Sequence, residues 1–187
     1  MFIVLIVLIV PVLLAFAVYN SLVHKKSQVT NVFATIDALL KKRYDLIPNL
    51  VSAVKNYMEH ERGTLTQITE LRSKAIAGNL SDDEKIDLEN KMSKLMGNIR
   101  IAVENYPDLK ASQNFIQLQA ALNETEEQLS AARRAYNASV TDYNNAIEMF
   151  PSNIVASIIN YKTKTVFAAE EQERKNVDVD SLFKNKS

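Results

Sequence analysis

The chain has 187 residues, a formal net charge of zero and no cysteine. That length suits one domain with a real core. Without a basic excess there is no electrostatic case for nucleic-acid binding, and without thiols there are no disulfides, thiolate nucleophiles, thiolate metal sites or lipoprotein acceptor.

Three glycines and four prolines in a chain rich in Ala, Leu, Lys, Glu and Asn favour long helices, so an all-α fold is expected. Met1 to Val18 contains no charged residue. A run of this length is near the lower limit for crossing the roughly 30 Å hydrocarbon core of a bilayer. Residues 1–19 therefore read as a transmembrane anchor, with Phe2, Leu5, Leu8, Pro11 and Leu14 in lipid and Tyr19 at the interface. Lys25 and Lys26 would snorkel behind Tyr19. Ala15-Phe16-Ala17 resembles a signal-peptide cleavage site, but no Lys or Arg precedes the apolar run, which favours an uncleaved anchor. Positive residues cluster after the run, which by the positive-inside tendency puts the amino terminus outside and the body in the cytoplasm.

Helix 1 is expected to continue from Ser21 to about Ala77, its core stripe running through Val29, Phe33, Ile36, Leu40, Leu50, Val54, Tyr57, Leu65, Ile68 and Leu71. Joined to the anchor it would make a rod about 110 Å long. Its least generic stretch holds Lys42, Arg43, Tyr44, Asp45, Pro48 and Asn49. Pro48 has no N–H for the Tyr44 carbonyl and crowds it, at a cost of about 3 kcal/mol or more in a helix interior, so a kink and a substitute donor are expected. The cluster either holds that bend or forms a contact surface near the membrane.

Ser81 with Glu84 is a capping box that opens helix 2, whose stripe is Leu88, Met92, Leu95, Ile99, Ala102 and Tyr106 before Pro107 stops it. Helix 3 begins near Ala111 with a heptad-like stripe: Phe115, Leu118, Leu122, Thr125, Leu129, Ala132, Tyr136, Val140, Tyr143, Ile147 and Phe150. Tyr136-Asn137 and Tyr143-Asn144 recur seven residues apart, a polar stripe beside the seam that either fixes register or recognises another helix. A short fourth helix spans Ile154 to Tyr161. The organisation is thus an anchor (1–19), an antiparallel bundle of three long helices plus a short fourth (20–161), and a charged, partly disordered tail (162–187).

The residues carry a resemblance along most of this length. Lys42-Arg43-Tyr44-Asp45-Leu46-Ile47-Pro48-Asn49-Leu50, His60-Glu61, Tyr106-Pro107-Asp108-Leu109-Lys110, Thr125-Glu126, Arg133 with Tyr136-Asn137, Tyr143-Asn144 and Phe150-Pro151 with Asn153 resemble the signature of the LemA family of bacterial membrane proteins. The resemblance implies a single-span amino-terminal anchor with the amino terminus outside, a helical cytoplasmic body, and kinship with a magnetosome-membrane protein. It implies no catalytic mechanism. The family's basic pair before Tyr44 is usually two arginines and is Lys42-Arg43 here, and the tail after Tyr161 matches weakly.

Catalytic chemistry finds little support. His60-Glu61 opens like a zinc-protease motif, but position 64 is Thr where the second histidine should be. No Ser-His-Asp set or phosphate-binding glycine loop can be assembled, so no enzyme activity, metal or cofactor is expected. The expected partners are the bilayer and further copies of the chain, in a self-associating scaffold. The alternative is an adaptor or regulatory subunit of another membrane protein, such as a quality-control protease.

Overall fold

A computed structural model describes residues 2–78 and 80–167, with side chains from Ile9 onward. Among the described residues every element is helical: α1 (Phe2–Val54), α2 (Arg62–Ile76), α3 (Asp82–Val103), α4 (Pro107–Lys110), α5 (Gln113–Glu148) and α6 (Ser152–Ile158). The all-α expectation holds. Three long helices are present, but the expected helix 1 is two elements rather than one.

α1 ends at Val54, and the chain turns through residues 55–61 on bonds from the Tyr57 and Met58 amides to the Val54 carbonyl, each 3.0 Å. Met58 enters the core there, while Tyr57, expected on the stripe, is exposed. The reversal has a packing cause. On a straight rod Leu65 and Ile68 would meet solvent, whereas on a returning α2 both are buried.

Cross-helix contacts fix the directions. Phe33 faces Tyr136 and Lys42 faces Glu124, so α5 runs antiparallel to α1. Lys85 reaches Asp37 and Glu89 reaches Arg43, so α3 runs parallel to it. The half of α1 beyond Leu40 thus lies among α2, α3 and α5 in up-down-up-down order. Tyr106 donates to Glu61 at 3.0 Å, joining the two loops at that distal end. The half of α1 from Leu22 to Ile36 is covered by α5, α6 and an extended segment, residues 161–167.

The local signals read from sequence are realised at α3. Ser81 Oγ accepts from the Glu84 amide and Glu84 accepts from the Ser81 amide, with Asp82, Asp83 and Glu84 at the positive end of the helix dipole. Phe150, expected at the end of the core stripe of α5, is instead exposed beyond the helix end.

The expected membrane-spanning segment is not established. Among the described residues no helix is long and apolar enough to cross a membrane, and Phe2, Leu5 and Leu8 of the anchor have side chains outside the described residues. What is described of that stretch projects past the bundle: Ile9, Val10, Val12, Leu13, Leu14 and Phe16 are exposed, as are Pro11 and Tyr19, and the core begins only at Leu22.

Candidate functional site

The motif around Pro48 divides by helical periodicity into two faces. Arg43 and Tyr44 lie on the inner face with Ile36, Leu40, Ile47 and Leu50; Lys42, Asp45, Pro48 and Asn49 are exposed. The six residues therefore do not form one site. α1 continues through Pro48 without a break, and the carbonyl that the proline cannot serve has a donor from another helix. Arg72 of α2 donates Nε–H to the Tyr44 carbonyl at 2.8 Å. The expectation of a substitute donor is met, and it depends on the reversal at residues 55–61.

The inner face leads to the densest polar cluster in the described structure. Glu89 of α3 is fully buried and its Oε1 accepts from both Arg43 Nη1 of α1 and Arg133 Nη2 of α5, the latter at 2.9 Å. Tyr44 Oη donates to Glu89 Oε2 at 3.1 Å. Ser93 Oγ, one turn on, accepts from Arg43 at 3.1 Å and from Arg133 at 2.8 Å. Glu126 of α5, partly exposed, closes the ring with contacts of 3.2 Å to Arg43 and 3.7 Å to Arg133. Two arginines and two glutamates thus balance in a space where unpaired charge would be very costly. Burial, then the charge of Glu89 and its hydrogen bond, push the Tyr44 phenol well above the usual tyrosine range, which keeps Tyr44 a protonated donor.

A cavity of about 360 Å³ adjoins this cluster. Arg43, Ser93, Glu126 and Arg133 lie at one side, Leu50, Met96, Ile99, Phe115 and Leu122 supply apolar lining, and Asn90, Lys94, Asn98, Arg100, Gln119 and Asn123 add further polar groups. Arg43 and Arg133 are engaged by carboxylates. Chemically the centre joins three helices. Lys42, the other cation of the basic pair, reaches Glu124 at 3.3 Å on the open surface, where an ion pair contributes little.

Sequence reading left out Glu89 and Arg133 as inner-face residues, although a signal was present. Glu89 completes a three- and four-residue series with Met92, Met96, Ile99 and Val103, and Arg133 does so with Leu129, Tyr136, Val140 and Tyr143. One acid and two bases at stripe positions of three helices can satisfy one another only in a shared core.

The polar stripe of α5 has a definite partner. Asn137 donates to the Phe167 carbonyl at 3.1 Å and accepts from the Phe167 amide at 2.9 Å; Asn144 does the same with Lys164, at 3.0 and 2.9 Å. Tyr143 donates to the Lys162 carbonyl at 3.1 Å. Each asparagine amide thus acts as a strand neighbour would, pairing both backbone groups of one residue. At the start of the charged tail, expected to be partly disordered, residues 161–167 form a strap along α5, because α5 supplies the backbone partners an extended segment needs. The remainder of the expected tail, 168–187, lies outside the described residues. Phe167 is buried in a ring cluster with Phe33 and Tyr136, and the Arg133 guanidinium lies 5.6 Å from its ring. His60 is exposed in the α1–α2 turn, and among the described residues no group of side chains could hold a metal ion.

The sequence model of the LemA family matches residues 32–181. Protein LemA of Metamycoplasma hominis is 29% identical over 163 residues, covering 87% of this chain and 74% of that one. Magnetosome protein MamQ 2 of Paramagnetospirillum magneticum is 21% identical and magnetosome protein MamQ of Magnetospirillum gryphiswaldense 20% identical, each over 174 residues. Both matches cover 80% of this chain and 64% of the magnetosome protein, slightly under two thirds of its length.

Proposed function

The chain belongs to the LemA family, and on that premise we propose that it is a non-enzymatic, membrane-associated scaffold, held in a bilayer by the start of α1 and self-associating through that segment. One observation carries the reading. α1 runs on beyond the bundle, and the projecting part from Ile9 to Phe16 exposes apolar side chains on every face. A helix apolar all round needs an apolar surrounding, and among the described residues none of the helices provides it. The uncharged run from Met1 to Val18 continues that segment to the terminus. In this reading the span is single, the amino terminus lies outside the cell and the bundle is cytoplasmic, following the lysines after the run.

The test is the absolute mass of the full chain in mild detergent by light scattering, beside a version lacking residues 2–20. The expected result is a uniform particle of several copies that falls to monomers on truncation. A full-length protein that stays monomeric at every concentration overturns self-association.

An adaptor reading has its own support in Asp45 and Asn49, exposed polar side chains of the motif that lie outside the core. It predicts that in-cell crosslinking captures one stoichiometric membrane protein and that Asp45→Lys abolishes the capture while the fold persists. Unchanged capture by that variant removes the motif from the contact.

A further inference from the structure

The base of the bundle carries a second apolar surface, separate from the projecting helix. Ile154 and Ile158, four residues apart on one side of α6, are 53% and 78% exposed, and Phe150, in the turn that leads into the helix, is 78% exposed. Met149 beside them is exposed as well. The opposite side of α6 faces the core: Ala156 is buried, and Val155 and Ile159 pack against the cluster that holds α1 and α5 together. A short surface helix normally turns its apolar side inward. This one has an apolar side inward and a more exposed one outward.

The outward stripe is held in place. At the end of α6, Asn160 takes a left-handed backbone (φ 54°), the Tyr161 amide bonds the Ala156 carbonyl at 2.9 Å and the Asn160 amide bonds Ser157 at 3.2 Å. That is a Schellman cap, and it delivers the chain directly into the strap clamped by Asn144 and Asn137. α6 can neither roll over nor fray without breaking those bonds.

Its position indicates what covers it. The antiparallel register that puts Phe33 opposite Tyr136 and Lys42 opposite Glu124 brings Met149 and Phe150 level with Val18 and Tyr19. The stripe therefore lies where the exposed apolar part of α1 leaves the bundle. Lys25, Lys26 and Lys162 stand above it and outnumber Asp142 and Glu148 there, with Lys26 Nζ 4.5 Å above the Tyr161 ring. Apolar side chains below and cations above match the two layers of an anionic bilayer surface, acyl chains and then head groups.

We propose that α6 is a second membrane contact, its Phe150–Ile154–Ile158 stripe seated at the head-group boundary of an anionic bilayer beside the point where α1 enters it. The inference rests on the membrane reading of α1. Two contacts rather than one would fix the tilt of the bundle, since a single helix leaves the body free to lean and rotate. They would also hold the Lys42–Asp45–Asn49 face at a set height above the lipid.

The chain contains no tryptophan, so single substitutions report without background. Full-length Phe150→Trp, Ile158→Trp, Phe16→Trp and Ile101→Trp proteins are reconstituted into phosphatidylcholine vesicles with and without phosphatidylglycerol, and quenching is read with brominated lipid and with acrylamide. The expected result is loss of Phe150→Trp and Ile158→Trp emission to lipid brominated near the head group, larger with phosphatidylglycerol. Phe16→Trp should respond to deeper bromines, and Ile101→Trp, at the distal end of α3, only to acrylamide. If Phe16→Trp is quenched by lipid and the α6 probes are not, the α6 contact is overturned while the α1 reading stands. If none is quenched by lipid, the α1 reading falls first. Protection of the α6 probes that grows with protein density, without lipid quenching, assigns the stripe to a second copy and overturns the proposal. Equal quenching in both lipid mixtures overturns its anionic preference.

Discussion

The two halves of this bundle use opposite materials. Beyond Leu40 the core is tied by charge: Arg43, Glu89 and Arg133, from three helices, meet away from water. Before Ile36 it is tied by rings and by amides, with Phe33, Tyr136 and Phe167 in contact and two asparagines holding a strap. The difference follows from what each half must join. Four helices meeting at one level can be registered by a buried ionic set, which tolerates no sliding because each displaced charge is left unpaired. The other half joins α1 and α5 to the short α6 and an extended segment, and an extended segment needs backbone partners above all. Arg133 touches both systems, pairing with Glu89 while lying against the Phe167 ring.

The strongest way to break the comparison is to unbalance the charge. Glu89→Gln leaves Arg43 and Arg133 buried with only the partly exposed Glu126, and should cost about 3–5 kcal/mol of stability. Replacing all three members with apolar residues of similar size (Arg43→Met, Glu89→Leu, Arg133→Met) should be near neutral. Denaturant melts of full-length protein in detergent measure both. A triple variant as unstable as Glu89→Gln would mean that the centre does more than satisfy itself. Hydrogen exchange sharpens the result: Glu89→Gln should release α3 amides before those of Lys164 and Phe167, and simultaneous release would make the halves one cooperative unit.

That centre also marks the limit of what was legible in the sequence. The helix start at Ser81 could be read because its cause is local, whereas α3 ends at Val103, ahead of the expected stop at Pro107, which opens α4 instead. The break after Val54 has no glycine or proline within residues 55–61, and it exists because Leu65 and Ile68 gain burial by turning back, which is a property of the assembled bundle. Glu89 and Arg133 are hard to read from sequence because charges at stripe positions look like errors in a stripe until their partners are known. Asn137 and Asn144 were recognised as a polar line beside the seam, yet their partner, the strap, has no periodicity of its own.

The strap gives the next effect. Asn144→Ala or Asn137→Ala removes two bonds to one residue's backbone, and each should cost about 1–3 kcal/mol. Faster exchange of the Lys164 or Phe167 amide, with α3 unchanged, is the expected signature. Loss of protection at Glu89's end of the molecule would instead show that the strap supports the ionic centre through Arg133.

Alkaline pH probes the ring cluster. Burial, reinforced by Asp82 and Asp83, pushes the Tyr136 phenol up to about 12, whereas the unfolded chain releases that proton near 10. The folded state then holds the proton when the unfolded state does not. The stabilisation is complete below about pH 10 and is lost as pH rises from 10 towards 12. Tyr44 shifts in the same direction. Tyr136→Phe should flatten part of the alkaline fall in urea midpoint, and an unchanged fall would assign the loss to other groups.

The smallest effect tests the most particular joint, the one between Pro48 and Arg72. Arg72→Met deprives the Tyr44 carbonyl of its donor and should cost about 1 kcal/mol, the net value of one hydrogen bond. Pro48→Ala restores an N–H that can reach the same carbonyl within α1, so in that background Arg72→Met should cost little. The two substitutions are therefore expected to be non-additive, with a coupling of about 0.5–1 kcal/mol in a double-mutant cycle. Strict additivity would mean that Arg72 holds α2 on α1 through packing of its aliphatic stem. Coupling would mean that the proline serves the fold by leaving one carbonyl of α1 unclaimed, so that only a returning α2 can satisfy it.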